Sequence, residues 1–275
     1  MGNVREQVDI EFESDVPRRL ESAGRLLAEL HDDISKWSLE HAFNAPIRIS
    51  PLDGGVLEAV VPQPKDQLPY EWSAKFGYAV HDLRSGLDHM VQQLCRLDGQ
   101  EPSKPKQVQF PIAETGDEWR NAKRALASMP QAVLTRFETL QPCKSNGELA
   151  DGLRLLNRLA VHDKHYELLP LHPLPAGFSL DSIEPWPEGA DDEVDWESAS
   201  VRLTLSQTAD DAARGLKGVI PIHTTPLLVL DGSMAPLLDV MPWLYTVARA
   251  AIDTILVGGS SDERPPAPTW VSLTP

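Results

Sequence analysis

Three separate stretches of this chain repeat apolar residues at three- and four-residue spacing over several helical turns, and that periodicity constrains the fold more than any other feature. Leu20, Ala23, Leu27, Leu30, Ile34 and Trp37 form one such stripe. Val80, Leu83, Leu87, Met90, Val91 and Leu94 form the second. Leu149, Leu153, Leu156 and Ala160 form the third. A stripe of this kind lies on one side of an α-helix and must be covered by a partner. Long helices are therefore predicted near 15–43, 68–97 and 146–166. Ser14 or Asp15 can cap the first, with Pro17 in its opening turn, where a missing N–H costs nothing. A fourth helix over 235–257 carries Leu237, Met241, Leu244, Ala248, Ala251 and Ile255, and Gly258-Gly259 follows it. Shorter helices are expected at 116–128 and 130–140.

Other segments read as strands. Val8–Phe12 alternates apolar and charged residues. Ile47–Ile49 and Val56–Val61 flank Asp53-Gly54-Gly55 as a hairpin. Val201–Leu205, Val219–Ile222 and Leu227–Leu230 are further candidates, whereas Pro170, Pro173, Pro175, Pro185 and Pro187 read as breaks. Strands do not alternate with helices, which argues against a doubly wound parallel sheet. The expected fold is α+β: a bundle of three to four long helices with a small, mostly antiparallel β element. The expected organisation is one domain over 1–257, its β element drawn from 1–65 and 165–232, and a loose Pro-rich tail over 258–275. At 275 residues such a chain buries enough surface to fold without disulfides or metals.

Charge narrows the partners. The net charge is −16, yet residues 71–170 carry 13 basic and 13 acidic side chains, so the excess lies outside them. Residues 181–200 hold eight acids and no base, the mark of a solvated loop. Such a chain does not coat nucleic acid or anionic membranes indiscriminately. The apolar stretch 236–258 is interrupted by Asp239, Arg249 and Asp253, which argues against a membrane span. No leader pattern is visible, so a cytoplasmic location is expected. Two cysteines, Cys95 and Cys143, are too few for a disulfide framework or a four-cysteine zinc site. No phosphate loop, nucleophile elbow or zinc-protease motif is present, so no cofactor or metal is expected.

Two helical segments concentrate chemistry. One is His81–His89, the other Asn157–His165. The run Leu83-Arg84-Ser85-Gly86-Leu87-Asp88-His89, followed by Phe110-Pro111-Ile112, Leu140-Gln141-Pro142 and Asp163-Lys164-His165, resembles a widespread bacterial family of uncharacterised proteins. Arg84-x4-His89 also resembles the Arg-x4–6-His signature of the HEPN helical superfamily, over about residues 68–167. That resemblance implies a dimeric, metal-independent RNase or a nucleotide-sensing module. RNA would be its partner, Arg84 would stabilise phosphate and His89 would act as acid or base. The chemistry is sound, since guanidinium matches phosphate and imidazole titrates near neutrality.

The residues also support a structural reading. At 100° per residue, Arg84 falls about 60° from the centre of its helix's apolar stripe, while His89 points almost directly away. Asp163 lies seven residues after Leu156, in line with the third stripe. Each charge needs a partner at a core boundary, and the economical solution pairs Arg84 with Asp163, with His162 and His165 nearby. A non-enzymatic interaction protein with a structural Arg/His/Asp cluster is the alternative. A third reading takes the doublets His31-Asp32, His81-Asp82 and His162-Asp163 as an HD-type metal hydrolase.

Overall fold

A computed structural model describes residues 15–46, 48–52, 56–60, 67–165, 168–178, 191–195, 200–204, 219–258 and 267–272. The expected strand at Val8–Phe12 lies outside them. The fold is α+β. Its helices are α1 (Asp15–Glu40), α2 (Tyr70–Leu94), α3 (Gly116–Ala125), α4 (Gln131–Thr139), α5 (Glu148–His165) and α6 (Leu237–Val257). Among the described residues four of the six α-helices are long, and each of the four falls where apolar periodicity places it. Of the stripe residues named above on α2, α5 and α6, all are buried. On α1, Leu20 and Trp37 at the two ends of the stripe are only half-buried.

The chain's contacts fall into two compact units, with a boundary inside α1 after Leu30. The first comprises residues up to 30, 70–170 and 238–269, and its described elements, α and 3-10, are all helices. Its long helices approach closely at glycines. The Arg19 Cβ and Leu20 of α1 lie against Gly86 of α2, and the Tyr245 ring of α6 lies against Gly24 of α1. Val247 of α6 covers Gly152 of α5, and the Asp163 carboxylate of α5 lies on Gly77 of α2. Leu87, in the middle of α2, is fully buried. α6 is also the one described helix long and apolar enough to cross a membrane, but 56% of that window is buried inside the protein.

The second unit, residues 31–69, 171–237 and 270–275, is built on antiparallel sheets. One sheet orders β2 (Arg48–Leu52), β3 (Val56–Val60), β6 (Ser200–Thr204) and β5 (Asp191–Asp195) side by side. The hairpin expected around residues 53–55 is its β2–β3 pair. The other sheet centres on β7 (Val219–Leu230), a single strand where the sequence suggests two. β4 (Leu171–Phe178) pairs along one side of β7, because Ile222 and Leu227 each have partners on both sides. β1 (Phe43–Pro46) and β8 (Ser233–Pro236) share the opposite side. β9 (Val271–Ser272) extends β8, and so comes from the stretch the sequence suggests is a loose tail.

Two elements depart from expectation. β4 forms in spite of Pro173 and Pro175 because among the described residues it pairs with β7 alone, and a missing N–H is tolerated on its other edge. Pro226 opposite Pro173 sits just outside the 227–230 stretch that β8 pairs, so no donor is needed there either. β5 takes five residues of the acidic run expected to be loop.

Candidate ligand-binding site

The site is built on one row of α2. Arg84, Asp88 and Gln92 are spaced four apart, so they stack along one helix face. Together they hold residues 105–110 alongside the helix. Arg84 Nη2 donates to the Phe110 carbonyl at 2.7 Å, and the Phe110 N–H donates to Asp88 Oδ1 at 2.7 Å. Gln92 Nε2 donates to the Pro105 carbonyl at 3.1 Å and to the Val108 carbonyl. Beyond Phe110, the fully buried Gln141 takes over. Its Oε1 accepts from the Ala113 N–H at 3.0 Å, while the Ala113 carbonyl accepts from the Cys143 N–H at 2.9 Å. Arg154 of α5 ties down the next residue through Glu114 Oε2 at 2.9 Å and reaches the Pro142 carbonyl at 3.2 Å. Apart from a 3-10 turn over Pro105–Gln107 the segment has no helix or strand, and side chains meet the backbone groups of Pro105, Val108, Phe110 and Ala113 that no helix or strand pairs.

Arg84 is therefore buried and does have an acid, but the acid is not Asp163. Its Nη2 lies 3.3 Å from Asp88 Oδ1, one turn along the same helix. α2 and α5 do pack together, with a register that puts Asp163 on Gly77, seven residues before Arg84. Seven residues is about 10.5 Å of helix, beyond reach of a guanidinium. The Arg84–Asp163 pair is thus corrected to Arg84–Asp88, a spacing that one helix satisfies by itself. His162, next to Asp163, is half-buried. His165 is the last residue of α5, and its side chain lies outside the described residues. Burial lowers the Arg84 pKa, and the Asp88 carboxylate partly restores it. Arg84 Nη1 is buried with no hydrogen-bond partner among the described residues.

Beside Arg84 lies a cleft of about 410 Å³, a volume within the range of small-molecule sites. One wall is the 107–113 segment that Arg84 and Asp88 anchor, another is α3, and Asn157 of α5 contributes a third. Its polar residues are Arg84, Gln107, Gln109, Glu118, Asn121 and Asn157. The α3 wall is fixed by a capping box, in which Thr115 Oγ1 accepts from the Glu118 N–H at 3.2 Å while Glu118 Oε2 accepts from the Thr115 and Glu114 N–H groups. Asn121 Oδ1 accepts from Arg124 at 3.2 Å.

His89 is half-buried and does not line this cleft, so one chain does not bring it together with Arg84 there. Of the histidine–aspartate doublets, His31 Nδ1 lies 3.7 Å from Asp32 Oδ1 on an exposed surface, whereas His81 and Asp82 diverge. His81 is exposed and shares a hydrogen bond with Ser85, whereas Asp82 is buried and accepts from Arg19 at 2.6 Å. Among the described residues no three His, Cys, Asp or Glu side chains are grouped to hold a metal. Burial raises the Cys95 thiol pKa, against Ser128 and Arg96, which makes it a poor nucleophile.

Sequence reasoning singled out Arg84, quoted Asp88, Gln141 and Asn157 inside motif runs without giving them a role, and missed the amides at 107 and 109. The four-residue spacing of Arg84 and Asp88 was the available signal. No protein-family profile, curated protein or solved structure matches this chain.

Proposed function

We propose that this chain is a nucleotide-sensing module that binds its ligand in the Arg84 cleft without cleaving it. The observation that carries the reading is the cleft of about 410 Å³ lined by the side-chain amides of Gln107, Gln109, Asn121 and Asn157. Arg84 builds its wall: Nη2 is spent on the Phe110 carbonyl and Asp88, while Nη1 is buried with no acceptor among the described residues. The nucleotide class comes from the HEPN resemblance, and the amide-rich wall supports it, because Asn and Gln side chains match the edges of bases. The absence of His89 from the cleft favours binding over the RNase chemistry that the same resemblance implies.

The test combines binding and cleavage. The purified chain is titrated with nucleoside monophosphates and triphosphates by calorimetry, and incubated with end-labelled single-stranded RNA with and without chelator. Saturable nucleotide binding with intact RNA is the expected result. Chelator-insensitive cleavage that disappears in His89→Ala would establish the RNase and overturn the binding-only reading. Chelator-sensitive phosphate release would replace it with a metal hydrolase.

A further inference from the structure

We infer that the cleft recognises the uncharged nucleobase or nucleoside part of its ligand and not the phosphate. The inference rests on the nucleotide-binding reading and deepens it by naming the part that is read.

Charge is the first ground. The charged groups lining the cleft are Arg84 and Glu118, one of each sign. Arg84 is already compensated by Asp88 Oδ1 at 3.3 Å, so a phosphate entering here meets an ion pair and a second carboxylate rather than a free cation. Arg124 lies just outside, on Asn121, and is exposed, where solvent and salt screen it.

Donor geometry is the second. Arginine grips phosphate best with two parallel N–H groups. A fork through both terminal nitrogens is closed here, because Nη2 is committed to the Phe110 carbonyl at 2.7 Å. Nη1 is itself buried, so Arg84 offers no terminal-nitrogen fork to a phosphate in the cleft, and recognition falls to the neutral amides.

The third ground is the rest of the lining. Gln107, Gln109 and Asn157 each offer a carbonyl and an amino group. A base edge that alternates donors and acceptors can use both, whereas a phosphate can use only the donors. Glu118 Oε2 is held by two backbone N–H groups, and a carboxylate so placed can accept from an exocyclic amine but repels an anion.

The experiment compares guanosine, uridine, cytidine and adenosine with their 5′-monophosphates, and with inorganic phosphate and pyrophosphate, by calorimetry on the intact chain. At least one nucleoside is expected to bind within about threefold of its monophosphate, while neither inorganic anion binds or competes. Asn157→Ala and Gln109→Ala, both outside the Arg84–Phe110 scaffold, should each weaken that nucleoside at least tenfold with the melting temperature unchanged. Monophosphates binding tenfold or more tightly than nucleosides, with phosphate competing, would overturn the inference and leave nucleotide sensing standing. Nucleoside binding untouched by both variants would overturn the location. No binding by any compound would remove the inference and the function together.

Discussion

Arg84 contributes to stability through what it would leave behind if removed. Arg84→Met orphans the Phe110 carbonyl and half-strands Asp88, and an unsatisfied buried acceptor costs about 1–3 kcal/mol. Replacing both members, Arg84→Met with Asp88→Leu, removes the charge problem but also frees the Phe110 N–H. The double-mutant cycle should therefore show a coupling of about 0.5–3 kcal/mol, the range for residues in one network. The companion cycle of Arg84→Met with Asp163→Asn should be additive within about 0.5 kcal/mol, because those side chains share no partner. Denaturant unfolding measures both, and coupling to Asp163 in place of Asp88 would mean the α2–α5 register is wrong. The sequence announces that Arg84 sits at a core boundary and needs an acid. Which acid depends on helix register across α2 and α5, and no periodicity within one helix encodes that. The i,i+4 carboxylate was the answer available locally.

At the scale of elements, the long helices were legible because 3.6-residue periodicity is a property of the sequence itself. β4 was not, because its prolines argue against a strand until the partner on only one side is known. The β7–β8 hairpin was overlooked although Asp231-Gly232 signals it, and both residues take the positive φ that a two-residue turn of this kind needs. Close packing at Gly152 gives a direct test. Alanine there favours the helix by about 1 kcal/mol, yet its methyl would run into both γ carbons of Val247, a stiff β-branched side chain that cannot swing aside. Overpacking typically costs about 1–3 kcal/mol, so Gly152→Ala should be net destabilising, and a rise in melting temperature would show that α5 and α6 do not meet there. The link between α3 and α4 should be pH-dependent. Around Glu138 desolvation is the largest single effect and raises the carboxyl pKa, but the nearby Trp119 indole and the Lys123 and Lys144 ammonium groups together outweigh it, so the pKa is lowered. A depressed carboxylate contributes stability above its unfolded pKa, and loses it as pH falls through the folded value. Wild type should therefore lose more stability than Glu138→Gln below about pH 4.3, the ordinary glutamate range. Parallel acid profiles for the two proteins would show that the lysines leave Glu138 unaffected.

The charge of the whole molecule bears on how any RNA or nucleotide is held. The net charge is −16, and the segment that carries the cleft is itself neutral at 13 against 13, so no net positive charge draws a phosphate backbone to it. Binding that neutralises phosphates releases counterions, and for single strands log K falls by about 0.7 per phosphate for each tenfold rise in salt. Over the fourfold step from 50 to 200 mM that is roughly a threefold loss for each phosphate engaged. A nuclease gripping several phosphates would lose one to two orders of magnitude over the same step. A cleft that reads a base through its amides engages none, so its affinity should change by less than about twofold. The measurement is the nucleotide titration repeated across that salt range, on wild type and on Arg124→Gln, which removes the exposed cation resting on Asn121. A flat salt profile in both is the expected outcome. A steep one that flattens in Arg124→Gln would place a phosphate on Arg124 at the rim, with the base still inside. A steep profile in both proteins would put the phosphate on Arg84, because that cation would be the one left in the cleft wall to hold it.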